Sequence, residues 1–327
     1  MIRVAVIGAG NMGVHHARNY YEIPEAELVA ISDINFERKK IAEKYGCKFY
    51  SSYVEMLEKE KIDAVSVVVP SKLHHKVSLE VINRGKHLLI EKPIAETVEE
   101  AEDIVRIAKK KGVKLMVGHV ERFNPVIKKA KEITDSGALG EVVSIIAKRV
   151  GGYPKNIKED NVITDLAVHD IDIFNYILGK EPVSVYCHNT NAMNSKRINT
   201  AEILIDYGVT GCVSQVNWIT PIKVRNIFLT GTLGYLEIDN INQELKLYTN
   251  GKFGPEYENY EEFLMTSTSL KIEKIKVDKE EPLRVELEEF LNSISQKREP
   301  KISGEDGLKA LKTAIYALKC GDKNVHS

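Results

Sequence analysis

The segment GAGNMG at residues 8–13 constrains the fold of this 327-residue chain more than any other stretch. It follows a short apolar run, RVAVIG at residues 3–8, and it opens a helical pattern. In a G-x-G-x-x-G turn, the first glycine allows a tight bend, the second lets a pyrophosphate approach the backbone, and the third lets the helix pack closely. The free amides of the helix N-terminus attract phosphate. The segment predicts a dinucleotide site formed by Gly8, Gly10, Asn11, Met12 and Gly13.

Strand and helix patterns alternate through the first 120 residues. Apolar runs at 27–32, 64–70, 87–93 and 114–118 are separated by helical patterns. The run AVSVVVP at 64–70 is rich in β-branched residues and continuously apolar, as a strand buried on both faces requires. We therefore predict an α/β fold in which residues 1–120 form a Rossmann domain, a doubly wound parallel sheet.

The pattern changes after residue 120. A helix at 125–136 is followed by strand-like runs at 141–150, 183–190, 201–206, 210–218, 224–230 and 235–239, with turn signals between them. Neighbouring strands with few helices predict that residues 121–303 form an α+β domain with an open, mostly antiparallel sheet. A final helix at about 304–320 is expected to pack back on the first domain.

An acidic residue marks the expected end of the second strand. Asp33 lies about 20 residues after Gly13, where a carboxylate accepts hydrogen bonds from the adenosine ribose and repels a 2′-phosphate. This favours NAD over NADP, although Arg38 nearby argues the other way. Pro70, Ser71 and His74 follow the next strand and share its carboxyl edge, so they are further candidates for cofactor contact. For His74, an ordinary polar start of a helix is the alternative.

Two charged residues end another buried strand in the sequence LIEKP. Glu91 and Lys92 are expected at the cofactor edge of the sheet, and the following Pro93 holds Lys92 in extended geometry. A lysine beside a nicotinamide can donate a hydrogen bond to a substrate oxygen or take part in proton transfer. A solvent-exposed strand end is the alternative.

The segment DLAVHDID at 165–172 predicts a helix with a polar stripe. With 3.6 residues per turn, Asp165, His169 and Asp172 share one face, and Thr164 or Asp165 is expected to cap the helix start. A histidine there can accept a hydroxyl proton, with Asp165 fixing its tautomer. A divalent metal site is the alternative. Asp170 falls among apolar positions, which the pattern does not explain.

These motifs together resemble one known family. GAGNMG, the strand-end EKP and the downstream D-x-x-x-H-x-x-D are similar to the glucose–fructose oxidoreductase/inositol dehydrogenase family, over nearly the whole chain. The resemblance implies NAD(P)-dependent oxidation or reduction of one sugar carbon without a metal ion. It makes Lys92 and His169 catalytic candidates, with Asp165 beside them.

Two segments narrow the resemblance to one group of enzymes within this family. GHVERFNPVI at 118–127 and VITDLAVHDID at 162–172 are most similar to UDP-N-acetylglucosamine 3-dehydrogenases, whose 3-keto product is used by an aminotransferase. Arg122, Asn124 and Arg149, with Lys155 and Arg197 as further options, are then candidates for binding the substrate; the arginines suit a diphosphate. Ion pairs within the protein are the alternative. Myo-inositol or another free sugar, and a non-catalytic NAD-binding regulator, remain alternative functions.

Composition and charge argue against several other classes of protein, among them nucleic-acid-binding and membrane proteins. A net charge of −1 predicts no binding to nucleic acid or to an anionic membrane. The chain has no apolar run long enough to span a bilayer and shows no signal peptide pattern, and its four cysteines form no C-x-x-C pair. These features predict a cytoplasmic protein. Because an open sheet face needs cover, we also expect a homodimer or homotetramer.

Overall fold

A computed structural model describes residues 1–153, 161–192, 197–249 and 271–321. The chain forms two compact units. The first comprises Met1–Phe123 and Glu280–Tyr316, and the second comprises Asn124–Lys279 and Ala317–Ser327. The helices in chain order are α1 (Asn11–Glu22), α2 (Lys39–Lys44), α3 (Tyr53–Lys59), α4 (His74–Asn83), α5 (Val98–Lys111), α6 (Pro125–Asp135), α7 (Val168–Leu178), α8 (Pro282–Ser295) and α9 (Gly304–Gly321).

The first unit contains the predicted parallel sheet. Its strands are β1 (Ile2–Ile7), β2 (Ala26–Ser32), β3 (Lys48–Tyr50), β4 (Ala64–Val67), β5 (His87–Glu91) and β6 (Leu115–Gly118). They lie in the order β3-β2-β1-β4-β5-β6, and every neighbouring pair is parallel. The Rossmann fold is therefore confirmed. The sequence missed β3 because a three-residue edge strand is too short to show a period.

Two C-terminal helices belong wholly or largely to the first unit. The predicted boundaries placed α8 in the second domain, but Leu287 and Phe290 of α8 lie in the hydrophobic core of the first. A Cβ atom at Gly304 of α9 would lie 2.5 Å from the Leu115 side chain, and one at Gly307 would lie 2.6 Å from Val117. The glycines thus let the start of α9 lie directly against β6.

The second unit is built on an open sheet. Its strands are β7 (Val142–Val150), β8 (Ser184–Thr190), β9 (Thr200–Asp206), β10 (Gly211–Asn217), β11 (Val224–Gly231), β12 (Gly234–Asp239), β13 (Glu244–Thr249) and β14 (Lys271–Ile275). Among the described residues these form one sheet in the order β14-β13-β12-β11-β7-β10-β9-β8. Among the pairs that these described strands form, only β7–β10 is parallel, so the mostly antiparallel sheet is confirmed. The prediction lacked β13 and β14.

The two faces of this sheet differ. Helices α6 and α7 contact the strands from the side that carries buried residues such as Ile145, Ile203 and Ile227. The opposite side carries a line of cross-strand neighbours that we call the apolar row: Tyr186, Leu204, Val213, Ile146 and Phe228, on β8, β9, β10, β7 and β11. Tyr186 is 64% exposed, and Leu204 and Ile146 are 46% exposed.

Candidate active site

The glycine loop has the geometry that a dinucleotide phosphate requires. Gly8 has φ +95°, and a Cβ there would lie 2.4 Å from the Val68 carbonyl oxygen. A Cβ at Gly13 would lie 1.9 Å from the Gly8 oxygen, whereas nothing lies within 4 Å of one at Gly10. The protein itself therefore fills the space at Gly8 and Gly13. The open space at Gly10, with Asn11 and Met12 exposed at the start of α1, fits the approach of a pyrophosphate.

Asp33 is placed beside this loop. Its Oδ2 accepts a hydrogen bond from the Ala9 amide at 2.7 Å, and its Oδ1 accepts one from the Asn35 amide at 2.8 Å. Each carboxylate oxygen can accept a further hydrogen bond, so these contacts leave capacity for ribose hydroxyls. The carboxylate thus contributes to the shape of the glycine loop. It can still accept hydrogen bonds from the adenosine ribose, the role that the sequence predicts for it.

The segment after β4 begins with accessible residues and ends with a buried histidine. Pro70 is exposed and Ser71 is half-buried, so both remain candidates for cofactor contact. His74 is buried, with Nδ1 2.7 Å from the Pro93 oxygen and Nε2 2.8 Å from the Val69 oxygen. Both ring nitrogens therefore lie against the main chain. These contacts favour the structural alternative for His74 over a direct cofactor contact.

Glu91 and Lys92 differ in burial. The Glu91 side chain is buried, and its Oε1 lies 3.1 Å from Nε2 of His16 on α1. Its Oε2 accepts a hydrogen bond from the Lys92 amide at 3.2 Å. Lys92 is half-buried after the end of β5. The carboxylate therefore contacts protein groups on two sides, and Lys92 is the more accessible member of the pair.

The DLAVHDID segment does not begin as the sequence predicted. Residues Ile163–Ala167 form one π-helical stretch before α7 starts. The Asn161 side chain, not Thr164 or Asp165, accepts hydrogen bonds from the amides of Ile163 and Thr164 at 2.9 and 3.1 Å. The π-helix breaks the 3.6-residue period on which the polar stripe was based. Asp165 and His169 are half-buried, whereas Asp172 is buried at 1% exposure.

The structure gives Asp170 a role that the sequence could not supply. Its Oδ1 accepts a hydrogen bond from Arg149 Nε at 2.7 Å, and its Oδ2 accepts one from the Ser214 hydroxyl at 2.7 Å. Arg149 is 4% exposed and Asp170 is 1% exposed. This buried ion pair joins α7 to β7 and β10. For Arg149, the ion-pair alternative is therefore present, and a diphosphate contact remains only a prediction.

The other substrate candidates also have protein partners. Both terminal nitrogens of Arg122 lie 3.3 Å from Asp306 Oδ1, within the first unit. The Asn124 side chain caps α6 by accepting from the Val126 amide, and it donates to the Asn240 oxygen at 3.0 Å. Lys155 lies outside the described residues. These contacts weaken the case for Arg122 and Asn124 as substrate ligands.

Sequence reasoning missed His16. This residue lies on the buried face of α1 with Gly13, Ala17 and Tyr20, at the i, i+3, i+4 and i+7 spacing of a core-facing stripe. A histidine in such a stripe was the available signal, because a buried polar ring needs a partner. Its partner, Glu91, is 75 residues away in the chain.

Neither a metal cluster nor a membrane span is found in the part of the chain that the structure describes. No group of three or more histidine, cysteine, aspartate or glutamate side chains there could hold a metal ion. No helix there is long and apolar enough to cross a bilayer.

Comparison with known proteins identifies the family. A model of an oxidoreductase family with an NAD-binding Rossmann fold matches residues 2–119, and a model of the GFO/IDH/MocA C-terminal domain matches residues 127–237. The chain belongs to the GFO/IDH/MocA oxidoreductase family. It is therefore an oxidoreductase that uses a nicotinamide dinucleotide, and the resemblance inferred from GAGNMG, EKP and D-x-x-x-H is confirmed.

Individual relatives span the whole chain. The UDP-N-acetylglucosamine 3-dehydrogenase of Acidithiobacillus ferrooxidans is 27% identical over 96% of this chain and 95% of its own length. The myo-inositol 2-dehydrogenase of Thermotoga maritima is 26% identical over 97% of this chain and 96% of its own length. The solved structure of the Acidithiobacillus enzyme has a TM-score of 0.86 at 26% identity, covering 98% of this chain and 97% of that one.

Proposed function

We propose that this protein oxidises a sugar hydroxyl to a ketone with NAD, and that the hydroxyl is at C3 of UDP-N-acetylglucosamine. The observation that carries the choice of substrate is the full-length similarity, in sequence and in fold, to the Acidithiobacillus enzyme of that name. An aminotransferase that acts on the 3-keto product is the expected next enzyme of the pathway.

The proposal assigns separate tasks to three side chains. When bound, the nicotinamide ring supplies the acceptor for the hydride that leaves the sugar carbon. Lys92 donates a hydrogen bond from Nζ to the reacting oxygen and stabilises the charge that develops there. His169 accepts the hydroxyl proton, and Asp165 stabilises the imidazole that has received it. All three are at least half-buried, and burial strengthens such interactions by excluding water.

A second substrate class has its own support. The myo-inositol dehydrogenase of Thermotoga matches this chain about as well as the nucleotide-sugar enzyme does. Arg122 and Arg149, which the sequence offered to a diphosphate, already have carboxylate partners. A cyclitol needs no such cation, so dehydrogenation of a cyclitol is the second candidate function.

A substrate panel decides between these candidates. NAD reduction is measured by absorbance with UDP-N-acetylglucosamine, UDP-glucose, N-acetylglucosamine, myo-inositol and glucose at matched concentrations. We expect the highest kcat/KM for UDP-N-acetylglucosamine. Turnover of a cyclitol without turnover of any nucleotide sugar would replace the first candidate by the second. Dinucleotide binding by calorimetry with no turnover across the panel would favour a non-catalytic regulator.

Cofactor preference is predicted to depend on Asp33. Because its carboxylate repels a 2′-phosphate, NAD is the expected cofactor. Asp33→Asn keeps an acceptor for the Ala9 amide and removes the charge. We expect kcat/KM with NAD to fall about tenfold and the ratio of NADP to NAD activity to rise, since charged hydrogen bonds contribute about 1.5–3 kcal/mol. Glu37→Gln, an exposed acid in the same loop, is the matched control. An equal change in both variants would contradict the assignment.

The apolar row predicts the oligomeric state. We propose that this face is covered by a second copy of the chain, because exposed apolar patches of this kind mark protein interfaces. Leu204→Glu should lower the mass measured by light scattering from a multiple of 36.8 kDa to a single chain. Ile222→Glu changes an exposed residue outside the strands and serves as the control. A wild-type monomer would refute this prediction.

A further inference from the structure

Two buried histidines contact the segment that carries Lys92. His16, from α1, lies against the carboxylate of Glu91, the residue before Lys92. His74, from α4, lies 2.7 Å from the carbonyl oxygen of Pro93, the residue after it. The residues on both sides of Lys92 are thus contacted by side chains from separate helices.

The contact between His16 and Glu91 is charge-assisted. Burial raises the pKa of Glu91. The hydrogen bond and charge of His16 and the charge of Lys92 together lower this pKa by more than burial raises it, so the net pKa is below its usual range. An ionised carboxylate only accepts hydrogen bonds, so the proton in this contact belongs to His16 Nε2. Within the described part of the chain, the other ring nitrogen, His16 Nδ1, is buried and has no hydrogen-bond partner. The contact therefore places Nε2–H of His16 against Oε1 of Glu91.

Glu91 has little freedom to leave this position. Gly118 on β6 pairs with Glu91 on β5, and a Cβ at Gly118 would lie 3.3 Å from both the Cα and the Oε2 of Glu91. The carboxylate thus packs directly on the Gly118 backbone. Its Oε1 faces His16 and its Oε2 faces the Lys92 amide. The Glu91 carboxylate therefore connects the His16 ring to the main-chain amide of Lys92.

We propose that His16 is a positioning residue that acts through Glu91 to hold Lys92 in its reactive orientation. The proposal rests on the catalytic role proposed above for Lys92. His16 lies on α1, whose first residues belong to the dinucleotide loop. The hydrogen bonds through Glu91 therefore connect this helix to Lys92. A lysine side chain has many rotamers, and fixing its main chain restricts where the ammonium group can reach.

Substitutions at His16 distinguish a role in positioning Lys92 from a role in folding. His16→Leu removes the donor, and His16→Gln supplies an amide donor to the same carboxylate. We expect His16→Leu to lower kcat by about 10- to 100-fold, the cost of a small misplacement of a reacting group. The dissociation constant of NAD should stay within about threefold, because the glycine loop is unchanged. His16→Gln should recover most of kcat.

The matched control is Tyr20→Phe. Tyr20 lies one turn further along the same buried face of α1, and its hydroxyl is hydrogen-bonded to Ser66 at 2.8 Å instead of to Glu91. This variant should melt at a lower temperature and keep its kcat. Equal losses of kcat in His16→Leu and Tyr20→Phe would show a general packing effect and overturn the proposal. If His16→Leu does not fold, His16→Gln and Glu91→Gln carry the test, and a Glu91→Gln enzyme with full kcat would overturn it.

A second measurement needs no substrate. In NMR spectra of protein labelled with 13Cε-lysine, the Lys92 signal is assigned by its absence from the spectrum of Lys92→Arg. We expect this signal to move in His16→Leu and to stay in place in Tyr20→Phe. A moved signal without turnover of any sugar would uphold the positioning role and reject the proposed function. Sugar turnover with an unmoved signal and an unchanged kcat in His16→Leu would reject the positioning role alone.

Discussion

Replacing Lys92 with alanine is expected to lower kcat by about 10²- to 10⁴-fold, the range that a positioned proton-transfer or hydrogen-bonding group contributes. Lys92 follows β5 directly and is half-buried beside the ionised Glu91. In the proposed mechanism, its loss removes the cation that stabilises the reacting oxygen. The KM for the sugar should change much less than kcat, because the interaction is strongest in the transition state. The measurement is the initial rate of NAD reduction with the best substrate of the panel.

Lys86 provides the control for this prediction. It precedes β5, so it lies at the opposite end of the same strand from Lys92. Lys86→Ala should therefore keep kcat within about twofold, because it removes a lysine charge away from the cofactor edge of the sheet. Lys92→Arg keeps the charge but replaces a compact ammonium with a planar group, and it should rescue little activity. Full activity in Lys92→Ala would remove Lys92 from the mechanism.

Replacing Asp170 with asparagine is expected to destabilise the second unit by about 3–5 kcal/mol. The substitution leaves the buried guanidinium of Arg149 without its counter-charge, 2.7 Å from the altered group. Trp218, the single tryptophan of the chain, belongs to the second unit and is 2% exposed. Its fluorescence during urea unfolding therefore reports on the unit that carries the ion pair.

Two further variants show whether the charge or only the hydrogen bond matters. Ser214→Ala removes the second contact of Asp170 and should cost about 1 kcal/mol, the usual value for a neutral hydrogen bond. Arg149→Met with Asp170→Leu removes both charges and should recover most of the stability. A loss in Asp170→Asn no larger than that in Ser214→Ala would show that the ion pair contributes little.

The strands and helices of the core were predictable from local patterns. The runs that became β1, β2, β4, β5 and β6 are short, apolar and bounded by turn residues, so they can be recognised without any partner. The edge strands β3 and β14, and β13 beside β14, were missed. β3 spans three residues, and the KIEKI of β14 is almost entirely exposed, so neither shows the apolar pattern of a buried strand.

The candidate site was predictable in part. GAGNMG and Asp33 are contiguous or regularly spaced in the chain, and the loop geometry agrees with the motif. The face of DLAVHDID was not predictable in detail, because a π-helical stretch precedes α7 and changes the angle between successive side chains. The partners of Arg122 and Arg149 were open alternatives that residue type could not decide.

The sequence by itself determined the dinucleotide loop, the parallel sheet, the family and the identity of Lys92, Asp165 and His169 as candidates. The loop and the sheet follow from residue types and spacings within single strand–turn–helix units. The family and the catalytic candidates follow from the resemblance that the motifs carry together. Only the tertiary structure decided that Asp170 pairs with Arg149 and Ser214, and that Glu91 meets His16. The physical reason is that a buried polar group must find a hydrogen-bond partner, and folding alone determines which distant residue is near enough to supply it.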